Sequence, residues 1–97
     1  MLPINISLNF IANMTNKLDS NSFGYALRML RLKFGLSMKD VANGTSIGEA
    51  AIGAWERGAM PIRRNLKIYL DYFRATDPDG AAAIEKQYDE IKFNSLK

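Results

Sequence analysis

Lys39, Arg57, Arg63 and Arg64 bracket a run of mostly small residues: Gly48, Glu49, Ala50, Ala51, Ile52, Gly53 and Ala54. Fixed cations beside an uncrowded surface suit a polyanion, because ammonium and guanidinium groups make charge-assisted hydrogen bonds to phosphate oxygens. Between Ser22 and Phe73 the chain carries eight bases against four acids, whereas from Arg74 onward four bases meet five acids. A surplus of that size is also ordinary for a solvated surface, so its meaning depends on the elements that place it. Catalysis is poorly served. The chain has neither cysteine nor histidine, which removes disulfides, thiolate chemistry, the commonest general base and the commonest metal ligand. The expectation is no enzyme, no cofactor and no metal.

Ninety-seven residues make one domain. No apolar run reaches transmembrane length, and the start of the chain lacks the basic region of a signal peptide, so no membrane partner and a cytoplasmic location are expected. Ser22 reads as the N-cap of a helix to Phe34, ended by Gly35. Ser37 caps the next helix, with Asp40 completing a capping-box pair. Asn43, Gly44, Thr45 and Ser46 read as a turn. A helix then runs from about Gly48 to Arg57, and another from Ile62 to Phe73 with Leu66, Tyr69, Leu70 and Phe73 on one face. Asp77 and Pro78 open a last helix whose stripe is Ile84, Tyr88 and Ile91.

Residues 1–21 form an N-terminal extension that admits two readings. Leu2, Ile4, Ile6, Leu8 and Phe10 alternate as in a strand, while Ile6, Phe10, Met14 and Leu18 recur as in a helix. A helix from about Ser7 to Leu18 is preferred, because a lone strand has no partner; the alternative is an arm that pairs with a second subunit. The expected architecture is all-α. It is a compact bundle of about five helices, with the extension at 1–21, a helix-turn-helix domain at 22–75 and a C-terminal helix at 76–97.

Two short helices about a tight turn, between Ser37 and Gly58, make a helix-turn-helix. From Leu27 to Phe73 the chain resembles the phage repressor (Cro/cI-type) helix-turn-helix family, whose fold is lambda-repressor-like. Arg31 stands four residues before Gly35-Leu36-Ser37. Val41-Ala42 follow, then Ile47, Ile52, Trp55, Glu56-Arg57-Gly58, Pro61 and Leu66, with no gap between Ala42 and Glu56. The loop from Gly58 to Pro61 is one residue shorter than is common.

The resemblance implies an ion pair between Arg31 and Glu56 that ties the first helix to the end of the recognition helix. It places Glu49, Ala50, Ala51, Gly53 and Ala54 at the base-reading positions, and Met38, Lys39, Arg57, Arg63 and Arg64 at phosphates. Met38 stands where the family often has a glutamine. This reading face is sparse: an alanine offers only a methyl contact to thymine, and Glu49 an acceptor for cytosine N4. The implied function is a sequence-specific regulator, a repressor of phage, plasmid or prophage type. It would bind duplex DNA as a homodimer through Ile84, Tyr88 and Ile91, with recognition helices roughly 34 Å apart. The alternative is a helix-turn-helix turned to a protein partner, an antirepressor or regulatory partner, because small residues let helices pack closely.

Overall fold

The computed structural model describes residues 19–95, so both readings of residues 1–18 lie outside the described residues. Five helices follow in order: α1 (Ser20–Lys33), α2 (Met38–Thr45), α3 (Glu49–Glu56), α4 (Arg63–Arg74) and α5 (Pro78–Ser95), with no strand among the described residues. The fold is the expected all-α bundle.

Local chemistry sets the helix ends. Asp19, not Ser22, caps α1; its carboxylate accepts from the Ser22 N–H at 2.9 Å, so α1 begins earlier than the serine suggested. Gly35 ends the connection after α1 with φ +67°, a conformation open to glycine at little cost. At α2 the capping box is complete: Asp40 N–H donates to Ser37 Oγ at 3.0 Å and Ser37 N–H donates to Asp40 Oδ2 at 2.9 Å. Asp77 caps α5 by accepting from Gly80 N–H at 3.0 Å, and also pairs with Lys33 Nζ at 2.9 Å.

The turn of the motif is displaced from its expected place. Asn43, Gly44 and Thr45 belong to α2, and the left-handed residue is Ser46, with φ 64°. Gly44 is small for a different reason: a Cβ there would run into the ring of Tyr72 on α4. Thr45 Oγ1 holds the turn, donating to Val41 O at 2.7 Å and accepting from Ile47 N–H at 3.1 Å.

All five helices close around one core. Phe23 and Leu27 of α1 meet Val41 of α2, Ile52 and Trp55 of α3, Tyr69, Leu70 and Phe73 of α4, and Ala81, Ile84 and Tyr88 of α5. Burying such side chains stabilises by about 1.5–3 kcal/mol each before entropy is counted. The helix crossing that matters most for the motif is α1 on α3. A Cβ on Gly24 would stand 2.7 Å from Glu56 O and equally tight against Trp55 O, so α1 approaches the end of α3 backbone to backbone.

Candidate nucleic-acid interface

Recognition requires that α3 be held at a fixed angle. Arg31 does this from α1: Nε donates to Glu56 Oε2 at 2.7 Å, Nη2 to Glu56 Oε1 at 2.8 Å, and Nη1 to Leu36 O at 2.8 Å. The bidentate bond raises the Arg31 pKa above its ordinary value despite the opposing effect of burial. Both side chains are nearly enclosed, so the pair joins α1, the α1–α2 connection and the C-terminal end of α3 in one polar lock. Beneath it Tyr69 sits edge-on to Trp55, and burial pushes the Tyr69 phenol up.

The outer surface of α3 is small. Glu49 and Ala50 are exposed, Ala51 and Ala54 half-buried, and Ile52 and Trp55 buried. Gly53 is one of the expected base-reading residues. It is buried, and a Cβ there would stand 3.1 Å from Arg57 Nη1 and 3.4 Å from Met38 Sδ. The Arg57 guanidinium therefore lies across the bare backbone at Gly53. Met38 packs against the core at the same spot, so its thioether forms a wall of this surface.

Together Arg28, Arg31, Met38, Gly53, Glu56 and Arg57 line an open recess of about 290 Å³. Arg28 was not singled out in the sequence. The available signal was its place three residues before Arg31, on the same flank of α1.

The other cations divide. Lys39 is exposed in the first turn of α2, and Arg64 is exposed at the start of α4 with no ion-pair partner among the described residues. Arg63 is engaged elsewhere: its Nη2 lies 2.8 Å from Asp89 Oδ1, and its guanidinium stacks 5.2 Å from the Tyr88 ring centre. It is thereby tied to α5 at the surface.

The expected dimer stripe is also redistributed. Ile84 and Tyr88 are buried in this chain's own core, and Tyr88 donates its hydroxyl to Pro61 O at 2.8 Å. A side chain spent on its own core is not available to a partner. Ile91 is half-buried against the core, and Phe93, not foreseen, is 60% exposed on another face of the last turns of α5.

No helix among the described residues is long and apolar enough to cross a membrane. Comparison with curated proteins and with solved structures yields no match. The profile of the helix-turn-helix family matches residues 27–80, more than half the chain, spanning the Arg31–Glu56 lock, the turn and the recognition helix. The chain belongs to the Cro/cI-type helix-turn-helix family, a family of DNA-binding regulators.

Proposed function

We propose that the protein is a sequence-specific transcription repressor of phage, plasmid or prophage type that binds duplex DNA as a homodimer. The observation that carries this is the Arg57 guanidinium lying over Gly53, at the edge of an α3 surface small enough to enter a major groove. Arg64 supports it. It stands at the start of α4, where the helix dipole disfavours a cation and favours an anion. A phosphate there would meet both the arginine and the helix N-terminus.

Lys39, Arg57 and Arg64 then position the duplex, while Glu49 and the Ala50 methyl read it, aided by DNA shape. Glu49 also sits favourably in the first turn of α3, so its acceptor is aimed at no cost to the helix. Phe93, exposed at the end of α5, is the apolar side chain offered for the two-fold contact.

The test is a retardation assay on DNA flanking the protein's own gene against random duplex, with sedimentation of the free protein. Preferential binding by a dimer supports the reading, and Glu49→Ala should then change which sequence is preferred. Absence of duplex binding, with capture of a defined protein partner lost in Gly53→Leu, would move the assignment to the protein-interaction reading.

A further inference from the structure

The recess beside the Arg31–Glu56 lock holds more positive charge than its own residues neutralise. Arg28, Arg31 and Arg57 line it with one carboxylate, Glu56, a surplus of two positive charges. That carboxylate is already engaged, because both its oxygens accept from Arg31, and the remaining Arg31 nitrogen donates to Leu36 O. All ten acidic side chains of the protein lie among the described residues, and none forms an ion pair with Arg28 or Arg57. Two arginines, one from α1 and one just past the end of α3, thus line one recess without a counter-ion. We propose that this recess seats a single phosphodiester of the duplex backbone, held by Arg57 and closed upon by Arg28. The assignment rests on the DNA-binding reading above and adds to it a contact from α1, outside the helix-turn-helix.

Three arguments favour this occupant. The first is chemistry. Guanidinium groups present planar pairs of donors that match phosphate oxygens, and an anion between Arg28 and Arg57 relieves their mutual repulsion. The second is shape. At about 290 Å³ the recess stands at the foot of the range of small-molecule pockets, roughly 300–1,000 Å³, and it is open and mostly charged where such pockets are enclosed and mostly apolar. A phosphate carried in on a strand needs no enclosure. The third is position. Gly53 lies in α3, so the recess borders the helix proposed to enter the major groove, and a helix there has a phosphate backbone along each edge. The gap at Gly53 lays Arg57 along α3, whereas Arg28 is exposed and unsupported. Arg57 is therefore the principal ligand and Arg28 the second, and their contributions to duplex binding are coupled.

The test is duplex affinity, by fluorescence anisotropy, of the full chain and of Arg28→Ala, Arg57→Ala and the double variant. Lys86→Ala removes the same charge from an exposed position of α5 outside the recess and is the control. Arg28→Ala should bind every duplex about tenfold more weakly than the control does, with thermal melting unchanged. Its salt slope should stay near that of the native chain, because Arg57 still neutralises the phosphate. In the Arg57→Ala background the same change should add little. Affinity of Arg28→Ala equal to that of the control, or a full further loss in the double variant, would overturn the recess assignment while leaving the DNA reading standing. A native chain that binds no duplex at low salt would overturn both. Inorganic phosphate, titrated against chloride at constant ionic strength and followed by amide shifts, separates the other source of this chemistry. Saturable phosphate binding that Arg28→Ala abolishes, with duplex affinity unmoved by that variant, would give the recess to a free phosphate compound and overturn the backbone assignment.

Discussion

Gly53 and Arg57 are placed so that the arginine occupies the space a side chain at position 53 would fill, 3.1 Å from that missing Cβ. Glycine inside a helix costs about 1 kcal/mol relative to alanine. Here that cost is matched by a guanidinium laid along the recognition helix. Gly53→Ala is therefore expected to leave stability unchanged or raise it, since the tip of Arg57 is free to yield, while weakening duplex binding. Thermal melting and fluorescence anisotropy together check this. Unchanged affinity at a raised melting temperature would show that the position of Arg57 does not matter.

The Arg31–Glu56 lock sets a second expectation. Glu56→Ala strands a buried guanidinium and should destabilise by about 3–5 kcal/mol, read from urea unfolding. Replacing both residues by apolar ones of similar size should recover much of that loss. A single-variant cost under about 1 kcal/mol would remove the lock from the account of how α3 is held.

Gly24 and Gly44 look alike in sequence and should behave differently. At Gly24 a methyl group meets the carbonyls of Trp55 and Glu56, which move only if α3 moves. Gly24→Ala should cost about 1–3 kcal/mol and weaken DNA binding through the displaced α3. At Gly44 the obstacle is Tyr72, a 40% exposed ring with room to swing away, so Gly44→Ala should be nearly neutral. Equal costs for the two variants would contradict the backbone-to-backbone contact.

Acid sensitivity follows from the caps. Asp40 is held below its ordinary pKa of 3.8 by the hydrogen bond from the Ser37 N–H, and Asp77 by Lys33 and then by the Gly80 N–H. A folded pKa below the unfolded one gives stability that is fully present above 3.8 and is lost as pH falls through the lower folded value. The gap in urea midpoint between the native chain and Asp40→Ala or Asp77→Ala should be full near pH 6. It should shrink below pH 3.8. A constant gap across that range would show that the carboxylate charges contribute nothing at the caps.

The helices were legible in the sequence because each rests on a short-range rule, and the lock because the family resemblance implied it. Ser37 with Asp40 makes a box, Asp77 with Pro78 opens a helix, and the Arg31 and Glu56 pairing is what the resemblance to the family implies. What failed depended on tertiary contact. Gly44 read as a turn because glycine usually marks one, whereas here it makes room for Tyr72 and the turn falls to Ser46 in a left-handed conformation. Ser22 lost the cap to Asp19 by one helical turn. Ile84 and Tyr88 gave an apolar stripe without saying which side of α5 would be covered. Arg63 sits beside Arg64 in the chain, but helical geometry turns it toward Asp89 and Tyr88, and no pattern in the sequence separates the two.

The central claim, that the cations around α3 meet phosphates, is tested most directly by the salt dependence of duplex binding. With Lys39, Arg57 and Arg64 each contacting one phosphate in both subunits, the logarithm of affinity should fall against the logarithm of salt with a slope of about −5. Arg57→Ala and Arg64→Ala should each flatten that slope by about one per subunit and weaken all duplexes equally. Arg63→Ala, by contrast, should leave the slope in place. A slope near zero, or no duplex binding at low salt, would contradict the account.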